Sequence, residues 1–302
     1  NNPNYRTTDG VLYSKDGKKL IAFPAGKTGN FTVPKTVETI GFGAFENTKI
    51  ASVEFEEGIN LLTMGYRAFY NARNLTSVSV PASVVSIDFY AFAECRNLEK
   101  VTFANENKLT GIYEGAFLNC VRLREIVIPD SIIEISGFAF YGCLSLKQLP
   151  VSDDSALKGI YDYAFAYTGL KELNVPESVT DIGAYAFRGA KLTRVTIPDT
   201  QMYNLLIGIG AFQDCNNLTE IALPFIGASF EDSEITWFGY IFGAGDYSAN
   251  DVYVPETLAE VTISEGITIV GKGAFWKCKN IQIINVPDSV MLLDYGAFGG
   301  TR

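Results

Sequence analysis

The most informative absence in this sequence is histidine, which occurs at none of the 302 positions. Histidine is the commonest general base in enzymes and the commonest metal ligand. Its absence argues against most hydrolases and metalloenzymes. We therefore expect a chain without catalytic residues, without a metal site and without a cofactor.

Positive charge and long apolar runs are also scarce. The chain has 24 Lys and Arg residues against 34 Asp and Glu residues, which gives a net charge of −10. Because phosphate neutralisation supplies most of the affinity of proteins for nucleic acids, this balance disfavours a nucleic-acid partner. Hydrophobic residues make up 47% of the chain, but no uninterrupted apolar run reaches the ~18 residues of a spanning helix. We therefore predict no membrane span in this chain.

An Ala-Phe dipeptide recurs along almost the whole sequence. Its phenylalanine, called here the column phenylalanine, stands at residues 45, 69, 92, 117, 140, 165, 187, 212, 275 and 298, and Phe242 holds the same place after an isoleucine. The intervals between Phe45 and Phe212 average about 24 residues, within the range of leucine-rich repeats. Because a repeat array grows by adding coils, we expect one elongated domain.

Each repeat contains further signals around this dipeptide. A Leu-x-x-Val-x-Val-Pro segment, as in residues 75–81, alternates in polarity and predicts a short parallel strand that its proline ends. A Ser-Val-x-x-Ile segment, as in residues 83–87, predicts a second, weaker strand. The Ala-Phe-x-x-Cys segment predicts one helical turn, since its phenylalanine and its small residue share a face. The apolar side of every coil should therefore point into one core.

Two regions depart from the repeat. Near the N-terminus, the β runs VLYS and KLIAFP are joined by a glycine-containing turn and predict a hairpin. We assign residues 1–30 to an N-terminal β-hairpin cap and residues 31–302 to the solenoid. Within the solenoid, the two intervals between Phe212 and Phe275 lengthen to 30 and 33 residues. We therefore predict irregular expanded coils over residues 225–260.

The full motif, L-x-x-V-x-I-P-x-S-V-x-x-I-G-x-x-A-F-x-x-C, closely resembles that of the BspA-like leucine-rich repeat proteins from Val11 to Gly300. The resemblance implies an α/β fold: a right-handed leucine-rich repeat solenoid of about eleven coils of ~24 residues, with a parallel β-sheet and short helical turns. It also implies a secreted or surface-anchored bacterial protein that acts in adhesion. We expect an extracellular or cell-surface location, with any leader or anchor outside these residues. The family has no catalytic residues to transfer.

The five cysteines occupy one column. Each follows a column phenylalanine by three residues, and they are Cys95, Cys120, Cys143, Cys215 and Cys278. We interpret them as free, buried thiols that fill the core. The roughly 4.8 Å between adjacent coils permits a disulfide between neighbours, but stacked side chains that point the same way seldom have the torsion it needs. Metal binding or redox chemistry is the remaining interpretation.

A row of polar residues precedes the second apolar position of successive strands. Its charged members largely alternate in sign and are Lys100, Glu125, Glu172, Arg194 and Glu220. The row is either a solvated face stabilised by cross-strand pairs or a surface that binds a partner. A carboxylate pair for glycoside hydrolysis could be drawn from Glu125, Glu172 and Glu220, but no motif surrounds them. We therefore predict that the chain is not an enzyme.

Further aromatic residues precede the Ala-Phe dipeptides, among them Phe42, Tyr66, Phe89, Tyr113 and Tyr163. Aromatic side chains between coils bury a large apolar area, so we interpret the row as packing along one edge. The alternative is an amphipathic strip of tyrosines that contacts protein or glycan.

The expanded coils contain the binding residues that we favour, because long insertions in repeats usually emerge on one face and often serve binding. Trp237 lies five residues before Phe242, in an inward apolar column, and should anchor the segment. The predicted contact residues are Tyr240, Tyr247, Glu231, Asp232 and Asp246. The competing hypothesis is that the insertion merely closes an irregular coil.

The predicted function is non-catalytic. We expect a cell-surface or secreted bacterial repeat protein that mediates adhesion or protein–protein binding, with a host extracellular matrix protein as one class of partner. The alternative is a glycan-binding surface module in which the aromatic residues of the insertion stack on sugar rings. The repeat leaves exposed positions unconstrained, so the sequence does not name the partner.

Overall fold

The structure is a computed structural model that describes residues 2–152, 154–200 and 202–301. The chain divides into two compact units, Asn1–Leu146 with Pro150–Ala156, and Lys147–Leu149 with Leu157–Arg302. Each unit is a parallel β-solenoid built from coils of the predicted kind. The single elongated domain and the boundary between residues 30 and 31 stay predictions.

The first unit consists of short strands joined by turns. They are β1 (Tyr5–Thr8), β2 (Val11–Ser14), β3 (Lys19–Ala22), β4 (Thr28–Val33), β5 (Thr39–Ile40), β6 (Lys49–Phe55), β7 (Thr63–Met64), β8 (Ser77–Val80), β9 (Ser86–Ile87), β10 (Lys100–Phe103), β11 (Gly111–Ile112), β12 (Glu125–Ile126) and β13 (Glu134–Ile135). From β4 to β11, longer strands alternate with strands of two residues. This alternation matches the stronger and weaker strand predicted for each coil.

Parallel pairing joins the coils of the first unit. β4, β6, β8, β10 and β12 form one sheet in which each strand pairs with the next. β5, β7 and β9 pair in parallel elsewhere on the coils, as do β11 and β13. The register keeps the repeat, since Val78 opposes Val53 on one side and Val101 on the other. The inward apolar positions of successive coils are therefore aligned.

The N-terminal segment forms the predicted hairpin. β2 pairs antiparallel with β1 and with β3, and β3 then pairs in parallel with β5. Val11 and Leu20 are fully buried, and the Phe23 ring lies 5.1 Å from the ring of Phe45. The hairpin therefore packs its apolar side on the first coil, while β1 is exposed.

The second unit repeats this construction with one irregular stretch. Its elements are β14 (Gly159–Ile160), β15 (Glu172–Asn174), β16 (Asp181–Ile182), β17 (Arg194–Thr196), β18 (Leu206–Ile207), β19 (Glu220–Leu223), two 3-10 helices (Phe238–Phe242 and Tyr247–Ala249), α1 (Asn250–Tyr253), β20 (Glu260–Ile263), β21 (Ile269–Val270), β22 (Ile283–Asn285) and β23 (Leu292–Leu293). β15, β17, β19, β20 and β22 form one parallel sheet. The expanded coils lie between β19 and β20 in the chain, and the sheet continues past them without a gap.

The column phenylalanines form the core of both units, as predicted. Every one up to residue 275 is fully buried, and Phe298 in the last coil is half-buried. The rings of Phe69 and Phe92 lie 4.9 Å apart with planes that differ by 2°. The amide of Phe69 donates to the carbonyl of Ala91 at 2.7 Å, and equivalent bonds recur from coil to coil. Ring stacking and backbone bonds therefore follow the same column.

The Ala-Phe segments are tight turns, which differs from the helical turn predicted for them. The amide of Tyr141 donates to the carbonyl of Phe138 and the amide of Cys143 to that of Phe140, both at 3.1 Å. Phe138 and Gly142 have positive φ angles of 58° and 72°. Left-handed residues cannot continue a right-handed helix, so each segment reverses direction after a few residues. The small residue still points inward, since Cys143 is fully buried.

The first 3-10 helix, Phe238–Phe242, continues the hydrophobic core across the expanded coil. It does so with its two buried phenylalanines, Phe238 and Phe242. The amide of Phe212 donates to the carbonyl of Ile241 at 2.8 Å, whereas the amide of Phe238 donates to the carbonyl of Ala274 at 2.9 Å. The ring of Phe238 lies 5.1 Å from the ring of Phe275, tilted by 38°. One end of the helix therefore contacts the preceding coil and the other end the following coil.

Candidate functional site

A cleft of about 760 Å³ opens beside the expanded coil of the second unit. It is lined from within residues 225–237 and 267–272, with Asp246, Tyr247 and Asp294 completing the lining. Its side chains are aromatic, aliphatic and acidic. Concave surfaces with apolar walls and a few polar groups are the usual binding sites of proteins. This cleft is therefore the strongest candidate for a functional site.

A loop of residues 228–234 forms part of the lining. Gly227, with a φ of +99°, lies so close to the carbonyl of Ile235 that any side chain would collide there, so only glycine closes the base of the loop. One carboxylate oxygen of Asp232 accepts hydrogen bonds from the amides of Glu234 at 2.8 Å and Ile235 at 2.9 Å. The loop therefore has a defined shape.

The preceding coil supports this loop. The amide of Ile207 in β18 donates to the carbonyl of Ala228 at 2.8 Å. The ring of Phe230 meets the ring of Tyr203 edge-on, with centroids 4.7 Å apart. The loop is therefore held at its base and against its neighbour, while the side chains of Glu231 and Glu234 are exposed.

Trp237 lines the cleft, although the sequence places it in the inward apolar column. It is half-buried, while the adjacent Phe238 is fully buried. The indole Nε1 donates to the carbonyl of Ala244 at 3.0 Å. Trp237 still ties two parts of the expanded coil together, as an anchor should, but Phe238 fills the core because the 3-10 helix turns its side chain inward.

Tyr247 forms another part of the lining. Its ring packs against Gly273, where a side chain would collide with it, and it lies edge-on to Trp276 at 6.2 Å. The ammonium group of Lys272 lies 5.5 Å from the centroid of the Tyr247 ring, within the range of cation–π interactions. The chain itself therefore places a cation against an aromatic ring of the cleft.

Negative charge predominates in the cleft. Its lining contains the carboxylates of Glu231, Asp232, Glu234, Asp246 and Asp294. Among the described residues, no lysine or arginine nitrogen lies within 4.0 Å of any of these carboxylates. Hydrogen bonds from the side chain and the backbone of Ser248 lower the pKa of Asp246. Five carboxylates against the one ammonium group of Lys272 leave an excess of four negative charges in the described lining.

Four predicted contact residues line this cleft: Glu231, Asp232, Asp246 and Tyr247. The fifth, Tyr240, lies outside the lining and is half-buried. Burial, with a smaller effect of the Asp232 charge, raises the pKa of the Tyr240 phenol. Sequence reasoning missed Glu234, which belongs to the same acidic run, and Asp294. Only the stacking of coils brings Asp294 to the cleft, and no local sequence signal marks it.

The charged strand row pairs with itself within each unit. Lys100 and Glu125 form an ion pair of 3.1 Å in the first unit, and Arg194 and Glu220 form one of 2.8 Å in the second. Glu172 lies opposite Arg194 in the register of β15 and β17. These side chains are about half-exposed, so each pair contributes only ~0–1 kcal/mol. The geometry is that of a solvated face with cross-strand pairs.

The aromatic row along the coil edges uses its ring faces for stacking. Phe42 and Tyr66 stack at 5.4 Å with planes 10° apart, and Phe89 and Tyr113 stack at 5.5 Å with planes 22° apart. A sugar that binds an aromatic residue needs a free ring face. Each of these rings has one face covered by its stacking neighbour, which favours the packing interpretation of the row.

The cysteine column is internal. All five thiols are free and buried. The thiol of Cys120 donates to the carbonyl of Phe92 at 3.1 Å, and that of Cys143 to the carbonyl of Phe117 at 3.2 Å. Burial raises the pKa of the Cys95 thiol to about 12. Neutral buried thiols are poor nucleophiles and poor metal ligands, so the column serves packing.

Within residues 2–152, 154–200 and 202–301, no three or more His, Cys, Asp or Glu side chains are grouped so that they could hold a metal ion. Over the same ranges, none of the helices combines the length and the apolarity needed to cross a bilayer.

Solved structures of bacterial leucine-rich repeat proteins resemble the chain. One from Eubacterium ventriosum is 30% identical, with a TM-score of 0.58, over 64% of this chain and 51% of that protein, so the chain matches about half of its length. One from Bacteroides ovatus is 18% identical over 98% of this chain and 90% of that protein, with a TM-score of 0.58. A leucine rich cell surface protein from Faecalibacterium prausnitzii is 19% identical over 100% of this chain and 99% of that protein, with a TM-score of 0.54.

No curated protein matches the chain. The family model of the BspA type leucine rich repeat region does match it, over residues 21–147, 133–236 and 249–302. These ranges take in the regular coils of both units and most of the expanded segment. The motif, the stacked phenylalanine column and this match agree, and the chain belongs to the BspA type leucine-rich repeat family.

Proposed function

We propose that this chain is a non-catalytic repeat protein that binds another protein through the cleft of its second unit. The observation that supports this most directly is the concentration, in one concave surface, of five carboxylates and three half-buried aromatic side chains. None of these carboxylates forms an ion pair among the described residues. On the strand face, by contrast, Lys100 pairs with Glu125 and Arg194 pairs with Glu220, and on the coil edge Phe42 stacks on Tyr66. Glu231 and Glu234 are exposed and form no ion pair among the described residues, so their carboxylates are available to a binding partner.

The proposal includes an extracellular or cell-surface location and a role in adhesion. It is supported by family membership and by the fold shared with a protein described as a leucine rich cell surface protein. An extracellular matrix protein of a host is the partner class that such a role favours. Solenoids commonly present extended surfaces to proteins, which supports protein binding.

Binding of the purified chain to a panel of immobilised extracellular matrix proteins tests this function. We expect saturable binding to at least one of them, measured by surface plasmon resonance, and weaker binding by a variant with Glu231→Gln, Asp232→Asn and Glu234→Gln. This variant is called the acid-deleted variant. Asn keeps the acceptor oxygen that shapes the loop at residue 232, so its melting temperature should match that of the native chain.

The second candidate function is glycan binding, which the aromatic residues Phe230, Trp237 and Tyr247 of the cleft favour. These rings are half-buried, and a ring whose face reaches a concave site can stack on a sugar ring. A glycan array separates the two functions, because protein binding predicts capture by matrix proteins after their glycans have been removed enzymatically. Capture that disappears with the glycans would support the alternative.

A further inference from the structure

The cleft has the properties of a receptor for a cation on an apolar stem. It combines an excess of four negative charges with the rings of Phe230, Trp237 and Tyr247. Its aliphatic lining includes Ile267 and Ile269. A small inorganic cation would use the carboxylates and leave the rings without a role. A neutral apolar ligand would use the rings and leave the carboxylates unpaired.

Arginine side chains satisfy both requirements. The guanidinium group is planar, remains charged at all physiological pH values, binds carboxylates through two parallel hydrogen bonds and stacks on aromatic faces. It also loses less hydration energy than an ammonium group when it enters a partly closed site. The lysine side chain offers the charge and the stem but lacks the planar fork.

Lys272 shows that the cleft accommodates such a contact. Its ammonium group lies 5.5 Å from the centroid of the Tyr247 ring, and it makes no ion pair with the cleft carboxylates in the described residues. A guest cation would approach the same ring and carboxylates. The charge of Lys272 should therefore oppose the guest, and its removal should strengthen binding.

We propose that the cleft binds an arginine-containing peptide segment of a partner protein, with guanidinium groups between its carboxylates and rings and with neighbouring apolar side chains against its aliphatic lining. This inference rests on the proposed protein-binding function and specifies its chemistry. The net negative charge of the whole chain would add long-range attraction for a basic segment.

Synthetic peptides test this inference without an identified partner. The probe is a short, end-capped peptide with two arginines flanked by leucines. Its controls are the same peptide with citrulline, which keeps the shape and loses the charge, and with lysine. Fluorescence anisotropy at about 0.15 M salt limits long-range attraction. We expect the arginine peptide to bind most tightly, the lysine peptide less tightly and the citrulline peptide at least about tenfold more weakly than arginine.

Variants of the full chain locate the site. The acid-deleted variant should weaken binding of the arginine peptide about tenfold or more, whereas Lys272→Gln should strengthen it severalfold. The matched control removes three exposed carboxylates outside the cleft, by Glu57→Gln, Glu177→Gln and Asp199→Asn, and should leave binding within about twofold. Equal losses in the acid-deleted and control variants would reduce the effect to net charge and overturn the inference.

The peptide experiments and the matrix-protein experiments can fail independently of each other. Binding of a matrix protein together with equal, weak binding of the arginine and citrulline peptides would keep the function and refute the arginine site. Selective binding of the arginine peptide without capture by any matrix protein would support the site and reject the adhesive role. Binding of glycans alone would reject both.

Discussion

The regular coil of Phe92 and the expanded coil of Phe238 both fill the core with phenylalanine rings, but they orient these rings differently. Phe92 lies flat between its neighbours, with ring planes within 2° and 5° of theirs. Phe238 is equally buried but is tilted by 38° against Phe275 and contacts Phe242 edge-on. The regular coil repeats a single contact, whereas the expanded coil uses an extra aromatic residue to fill the same space.

The polar groups of the two regions differ more than their cores. On the regular strands, Lys100 pairs with Glu125 and Arg194 pairs with Glu220. In the expanded coil, carboxylates such as Glu231 and Glu234 have no such partner within the described residues. The expanded coil therefore brings several carboxylates without ion-pair partners into one concave surface, whereas the charged row of the regular strands pairs part of its charge internally.

The largest expected difference concerns aromatic residues of the two regions. Phe92→Ala should lower the free energy of unfolding by ~3–5 kcal/mol, because it leaves a cavity between two stacked rings. Phe230→Ala, at a half-buried ring on the cleft loop, should cost less than ~1.5 kcal/mol. Urea unfolding of both variants measures the difference. Equal losses would mean that the loop is part of the cooperative core.

The next prediction tests how the expanded coil is anchored. The buried Asn250 donates to the carbonyls of Gly273 and Ala274 at 3.2 and 3.1 Å and accepts from the amide of Gly239 at 3.0 Å. Asn250→Ala leaves these groups unsatisfied and should cost about 3 kcal/mol. The exposed Asn280 provides the matched control, and Asn280→Ala should be nearly neutral in the same denaturant titration.

A third prediction concerns the thiol column of the regular coils. Burial raises the pKa of Cys95 to about 12, whereas an unfolded thiol titrates near 8.5. The folded state therefore binds the proton more tightly. This contribution to stability is complete below pH ~8.5 and is lost as the pH rises towards 12.

Urea midpoints of the native chain and of Cys95→Ala, compared at about pH 7.5 and pH 10, measure this contribution. The native chain should lose ~2 kcal/mol more than the variant between these values. An identical pH dependence in both proteins would indicate that the thiol reaches solvent in the folded state.

The smallest expected effect comes from the strand face. Because the pair of Arg194 and Glu220 is half-exposed, Arg194→Gln should change the free energy of unfolding by no more than ~1 kcal/mol. It should also leave matrix-protein binding unchanged. A strong loss of binding in this variant would move the functional surface from the cleft to the charged strands.

The sequence predicts the regular coils well because the same pattern of apolar and small residues recurs in every repeat. The Ser-Val-x-x-Ile segments predict the second, weaker strand of each coil, and Ile87 and Ile135 are buried in β9 and β13 as expected. The local form of the Ala-Phe segment is harder to predict, because left-handed residues such as Tyr90 are not glycines and show no signal of their own.

The candidate site is only partly predictable for a related reason. Glu231 and Asp232 stand out as an acidic run in an irregular segment. Phe238, and not Trp237, fills the core. The insertion changes the spacing between repeats, so counting five residues back from Phe242 no longer identifies the buried position. Asp294 reaches the cleft from a later coil. Such positions depend on how coils stack around the insertion, which periodicity does not encode.

Hydrogen–deuterium exchange of the chain, alone and bound to the matrix protein that captures it, tests the central claim most directly. Deep protection should be present in the strands in both states, because their amides are paired. Binding should slow exchange in residues 227–237 and 267–272, which line the cleft. New protection confined to the turns next to β10, β12, β17 and β19, with the cleft segments unchanged, would contradict the account.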